Sequence, residues 1–237
     1  LLVAVLSVSG LDRPERNLRI LDFDIENRPL SYWVPDRPTA EVTSIAWMVA
    51  GDHDSLRVVG LAPPCWHNGH DVRCPDMPPF LMSMPDLLEE FRAEYDRADM
   101  VTGHYILMHD LPIVNAMLYE QRMPLLTDKL AHDTKVHMFS KKDLPATQEY
   151  LLELLDVTCP LGMALEKYHM TQPRWREANR LSPEGTALTK RRVTSDVHAH
   201  SHMREAMLDA GWLKSPTVWR SGGEDVVVGR AATGESK

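Results

Sequence analysis

Leu18-Arg19-Ile20-Leu21-Asp22-Phe23-Asp24-Ile25, followed by Glu26, is the stretch on which the fold turns. It is a short apolar-rich run with carboxylates at alternate positions, the pattern of a strand bounded by polar segments. Side chains at i and i+2 share one face of a strand, so Asp24 and Glu26 converge. Ile20, Leu21, Phe23 and Ile25 belong in a core, where an ionised carboxylate costs several kcal/mol unless it is paired or holds a metal. Taken alone, Asp-x-Glu also describes a solvated strand end, and the rest of the chain has to decide between the two.

Downstream, Val42 to Val49 and Leu56 to Leu61 read as two further strands joined by a Gly51-Asp52-His53-Asp54 hairpin. The prolines between Pro63 and Pro85 forbid a long regular element there. Leu87, Leu88, Phe91 and Tyr95 recur at helical spacing, which predicts an amphipathic helix over 85–98. A buried strand over 99–103 follows, then a helix opening at Asp110-Leu111-Pro112 and running to Tyr119. Strands alternating with helices predict an α/β layered domain. Beyond Pro124 the pattern is read as helical, with pieces at 134–139, 147–155 and 161–168. The last helix starts at Ser182-Pro183-Glu184, an N-cap followed by proline at the first helical position, and runs to Ala210 before Gly211. The resulting organisation is an N-terminal extension over 1–17, a domain over 18–213 and a mobile tail over 214–237 rich in Gly, Ser and charge.

The composition narrows the function. With 237 residues, 43% hydrophobic and 25% charged, the chain has globular proportions. No apolar run reaches the roughly 18–20 residues of a membrane span. A net charge of −8 argues against coating nucleic acid by bulk positive charge. It leaves open a nucleic-acid enzyme whose site concentrates carboxylates around cations. Three cysteines, Cys65, Cys74 and Cys159, make no disulfide framework and point to a reducing, cytoplasmic compartment.

The order of motifs resembles that of the DEDD 3′–5′ exonucleases, a ribonuclease-H-like family that includes polymerase proofreading domains and ribonuclease T. Asp24-Ile25-Glu26 looks like the first motif. Met100 to Tyr105 through Asp110-Leu111-Pro112 looks like the second, although Asp110 also suits an ordinary helix cap. Arg192-Val193-Thr194-Ser195-Asp196-Val197 looks like the third. The stretches Asp133-Thr134-Lys135, Leu154-Leu155 and Lys167 to Trp175 are similar to the connecting region of stand-alone exonucleases of actinobacterial tailed phages, and the likeness extends from Leu18 to about Trp212.

The resemblance implies a mixed central sheet flanked by helices, with Asp24, Glu26, Asp110 and Asp196 holding two divalent cations, Mg²⁺ or Mn²⁺. Hard oxygen ligands suit those ions, and a pair of them stabilises both the entering and leaving oxygens of phosphodiester cleavage. It further implies single-stranded DNA as substrate, with RNA left open, and work alone or beside replication or recombination proteins, in a host cytoplasm if phage-encoded. The alternative is a non-catalytic nucleic-acid-binding protein with a compromised site.

One position departs from the family. The Tyr four residues before the last Asp, or the His five before, is replaced by Arg192 or Arg191. An arginine cannot accept a proton at neutral pH, but its planar fork suits a phosphate. His200, one helical turn after Asp196, is the candidate substitute base, with His104 as another, and His104 and Tyr105 are candidate substrate contacts. His198 and His202 share a different face of the helix. Tyr105 and Trp175 are candidates for stacking on terminal bases, and Lys190-Arg191-Arg192 for holding the nucleic-acid backbone, against core packing and a solvated charge run. Cys65-x-His67-x₂-His70-x₃-Cys74 offers four zinc-type ligands without finger spacing, inside a proline-rich loop.

Overall fold

The computed structural model describes residues 18–29, 40–62, 66–67, 70–71, 81–138, 144–158 and 167–222. Strand β1 (Ile20–Pro29) pairs antiparallel with β2 (Ala40–Val49), which pairs antiparallel with β3 (Asp52–Leu61). The hairpin is tighter than the sequence suggests. It turns at Ala50-Gly51, with Gly51 at φ +80, and β3 already begins at Asp52. Strands β4 (Trp66–His67) and β5 (His70–Asp71) make a separate two-stranded ribbon, and β6 (Leu81–Met82) runs parallel to the end of β3. Helix α1 (Met84–Arg97) is capped by the Ser83 hydroxyl, which accepts from the Asp86 amide. Strand β7 (Met100–Gly103) lies parallel to β1 on the side away from β2, and helix α2 (Asp110–Glu120) follows.

Beyond α2 the structure corrects the all-helical expectation. Lys129–Asp133 is a strand, β8, parallel to β7. Its residues are poor strand formers, so its conformation comes from the free edge of β7 rather than from local preference. Among the described residues three short helices follow: α3 (Thr134–Met138), α4 (Gln148–Leu154) and α5 (Gln172–Ala178), while most of the helix expected over 161–168 lies outside the described residues. Helix α6 (Pro183–Asp209) opens on the Ser182 cap and is followed by Gly211 at φ +68, matching both sequence signals. The last strand, β9 (Thr217–Trp219), pairs antiparallel with β8, so the sheet recruits part of the segment assigned to the tail. Asn115 ties that segment down by donating to the Ser221 hydroxyl at 2.8 Å. Residues 1–17 and 223–237, the zinc-type Cys65 and Cys74, and the side chains of His67 and His70 lie outside the described residues.

The sheet order β6-β3-β2-β1-β7-β8-β9 puts β1 at the centre of a seven-stranded mixed sheet. The period of two in β1 separates its faces. Leu21, Phe23 and Ile25 pack with Leu87, Leu88, Phe91 and Tyr95 of α1 and with Leu111, Val114 and Leu118 of α2. Each such buried side chain stabilises by about 1.5–3 kcal/mol. Asp22, Asp24 and Glu26 alternate with them, on the face covered by α6. Small residues, Ala46 and Ser44 of β2, stand opposite Asp24 and Glu26, and Met48 and Ala46 pack under Val193 and Val197 of α6. The helix comes close enough that a Cβ on Gly60 would meet the Thr186 methyl at 2.6 Å. Immediately after Glu26 the β1–β2 register shifts, a bulge that re-aims the strand at the site.

Candidate metal and substrate site

Asp24 and Glu26 reach up from β1 and Asp196 reaches down from α6, so that one carboxylate oxygen from each lies within 4.8 Å of the others. The helix is fixed over the strand by Gln148 of α4, which donates to the Asp196 carbonyl at 2.9 Å. Asp110 arrives from the other side of β1. It is the first residue of α2 rather than the cap, and its carboxylate accepts the Ile25 amide at 3.0 Å. Its second oxygen accepts from His109 Nδ1 at 3.2 Å, a bond that raises the His109 pKa. All four acids of the expected set thus gather around one end of β1, three as a tight cluster and Asp110 beside Asp24.

Crowding shows in their protonation. Asp24 is pushed well above the usual carboxylate range, by burial first and then by the charges of Asp110, Asp196 and Glu26. Burial and Asp196 push Glu26 up to about 8. Asp196 is raised by burial, against Lys167 and Arg192, which pull it down. Hard oxygen donors that repel one another in a cleft, with Asp24 and Glu26 still reached by solvent, fit a divalent cation.

Two cations of the chain itself already stand in the cluster. Lys167 Nζ is 3.2 Å from Asp196 and 3.6 Å from Glu149. Arg192 Nε is 3.0 Å from Asp196 and 3.5 Å from Glu26, while its terminal nitrogen donates to the Tyr168 carbonyl at 2.7 Å. The guanidinium read from sequence as a phosphate clamp is therefore turned onto the protein's own carboxylates. Lys167 and Glu149 were not visible as site residues, since the approach of Lys167 to Asp196, and of Glu149 to Lys167 and Arg192, depends on packing across long sequence separations.

His200 does not join the cluster. Its helical position shares the Asp196 face, as expected, but its ring is fully buried, with Nε2 2.6 Å from the Thr102 hydroxyl and 3.7 Å from Asp22. Burial and then Arg204 hold its pKa well below the usual value. His104 bonds the Thr134 hydroxyl at 2.9 Å, and burial, with His200 and Lys167, pushes its pKa down to about 3. Tyr105 sits at φ 82, a left-handed conformation uncommon for a non-glycine residue. Asp133 fixes it by accepting the amides of Tyr105, Leu107, Lys135 and Val136, each at 3.0 Å. The Tyr105 ring lies 4.1 Å from Lys135 Nζ and near-parallel to His109 at 6.4 Å. His198 and His202 turn away from the site and flank His53 of the hairpin, at 5.8 and 4.7 Å between ring centres.

Sheet order, the covering helix and the acidic end of β1 together make this a ribonuclease-H-like α/β fold. No family model matches the sequence, and no curated protein matches it. Among solved structures, the chain is similar to the family B DNA polymerase of the hyperthermophilic archaeon Pyrobaculum calidifontis, with a TM-score of 0.53 and 17% identity. The match covers 85% of this chain and 25% of the polymerase, so the likeness is to a quarter of that protein and concerns the fold.

Proposed function

We propose that this protein is a metal-dependent 3′–5′ exonuclease that hydrolyses phosphodiester bonds of single-stranded nucleic acid, DNA before RNA. The observation that carries the reading is the convergence of Asp24, Glu26 and Asp196 within 4.8 Å, with Asp110 alongside. These four residues would hold two divalent cations, Mg²⁺ or Mn²⁺. When bound, such ions supply a Lewis acid for the scissile phosphate and lower the pKa of a water nucleophile. The motif order in the sequence and the fold shared with part of a DNA polymerase support the same reading. Among the described residues no helix is long and apolar enough to cross a membrane.

The chain's own groups then have distinct tasks. Without bound cations, Glu26 keeps its proton to about pH 8, and cation binding releases it. Lys167 and Arg192 neutralise Asp196 while the site holds no cations. His200 is shut in behind Asp22, which excludes it as the group that deprotonates water in this arrangement. His104 is uncharged at any physiological pH and too weakly basic to store that proton.

A second reading has a specific observation behind it. Arg192 and Lys167 sit where cations belong, as they would in a nucleic-acid-binding protein whose site had lost catalysis. Incubating single strands labelled at the 3′ or 5′ end with Mg²⁺, Mn²⁺ or EDTA separates the two. The exonuclease reading expects stepwise shortening from the 3′ end that stops in EDTA. Rapid cutting of a circular single strand, or turnover undiminished by EDTA, overturns it, and inertness in both metals favours the binding protein.

A further inference from the structure

The outer flank of α6 carries a feature that the carboxylate site does not use. An open groove of about 540 Å³ runs between the helix, β3 and the segment before α5, with Val58, Tyr168, Lys190, Arg191, Ser195 and His198 on its walls. It adjoins the acidic cluster through Ser195, whose hydroxyl lies 3.3 Å from Asp196 Oδ1 and accepts the Tyr168 amide at 2.9 Å. Tyr168 has a guanidinium against its ring twice over: Arg191 at 4.5 Å and Arg174 at 5.0 Å from the ring centre. Arg174 donates to the His169 carbonyl, and neither guanidinium is ion-paired among the described residues. Arg192, next in sequence, is the opposite case, committed to Glu26 and Asp196.

Two cations gathered on one aromatic ring, with no carboxylate of the described residues to balance them, offer a site for an external anion. Lys190 lies on the same wall. Cations along a groove plus an aromatic platform are the means by which single strands are held without sequence readout. The apolar floor suits bases better than the regular backbone of a duplex.

We propose that this groove, walled by Tyr168, Lys190 and Arg191, with Arg174 against the Tyr168 ring, takes the backbone of a single-stranded polynucleotide whose terminal phosphodiester lies at the carboxylates. The role of phosphate clamp thereby passes from Arg192 to its neighbour Arg191, with Arg174 as second contact. The inference rests on the nuclease reading for the direction of the strand, but its test does not depend on turnover.

Binding of a fluorescent single-stranded oligothymidylate is measured by anisotropy with calcium, over a range of salt concentrations, for the wild type, Arg174→Ala/Arg191→Ala and Arg174→Lys/Arg191→Lys. Arg191 is exposed and Arg174 half-buried, and thermal unfolding verifies that the variants fold. The alanine pair is expected to weaken binding about tenfold or more and to flatten the slope of log affinity against log salt by about 1.4, since each lost single-strand phosphate contact removes about 0.7. The lysine pair should keep most of the slope. Alanine variants with wild-type affinity and slope overturn the groove and leave the exonuclease reading standing. An inactive wild type that shows the expected loss overturns the exonuclease reading and leaves the groove.

Discussion

The seam between β1 and α6 has two ends built from the same materials. Each turn of α6 meets β1 one step lower. Arg192 and Asp196 face Glu26 and Asp24, whereas His200 and Arg204 face Asp22. At the lower end, Asp22 is fully buried and takes Arg204 Nε at 3.1 Å, with His200 neutral beside it. At the upper end, acids outnumber the cations Lys167 and Arg192, and solvent still reaches Asp24 and Glu26. Buried charge alone therefore does not distinguish a site from a structural lock. Excess of one sign, combined with access, does.

The comparison breaks if the two ends respond alike to loss of a carboxylate. Asp24→Asn should reduce nuclease activity at least about a hundredfold, the upper end of what outer-shell partners of metal sites cost, while leaving the unfolding midpoint unchanged or raised because a crowded, poorly solvated carboxyl group is gone. Asp22→Asn should do the reverse. It leaves Arg204 buried without its partner and should destabilise by about 3–5 kcal/mol, read from chemical denaturation, with activity per folded molecule largely retained. Near-wild-type stability in Asp22→Asn, or a collapse of stability in Asp24→Asn, would erase the distinction.

Much of the fold was legible because it rests on local patterns. The alternation in β1, the i, i+3, i+4 stripe of α1 and the Ser182-Pro183 start of α6 are each set by nearest neighbours along the chain. Strand β8 was not legible: Lys129-Leu130-Ala131-His132-Asp133 has no strand preference and is extended only because β7 offers it an edge. At the site, a period of two gave the convergence of Asp24 and Glu26, and the same period would have shown that Asp22 shares their face. Helical spacing gave the correct face for His200 but not its depth, which depends on which residue of β1 lies beneath that turn. Lys167 carried no signal as a site residue, since its place is decided by how the segment before α5 crosses α6. Arg192 was assigned the correct position and the wrong partner, because an unfilled acidic cluster next to it outcompetes a distant phosphate.

The central claim, that the upper end of the seam is a divalent-cation site, is tested most directly by thermal unfolding between pH 5 and pH 9 with and without Mn²⁺, in the wild type and in Glu26→Gln. Folded Glu26 keeps its proton to about pH 8, whereas in the unfolded chain it ionises near its ordinary 4.5. Between those values the folded state binds more protons, so without metal its stability should fall as pH rises and level off above about 8. Mn²⁺ should oppose that fall, stabilising by about 2.7 kcal/mol at a hundredfold excess over its dissociation constant and more strongly at pH 8 than at pH 5.5. Glu26→Gln should make the metal-free profile shallower, leaving the part due to Asp24 and Asp196, and lose most of the Mn²⁺ effect. A wild type indifferent to Mn²⁺ at pH 8, or a Glu26→Gln variant stabilised as much as the wild type, would contradict the account.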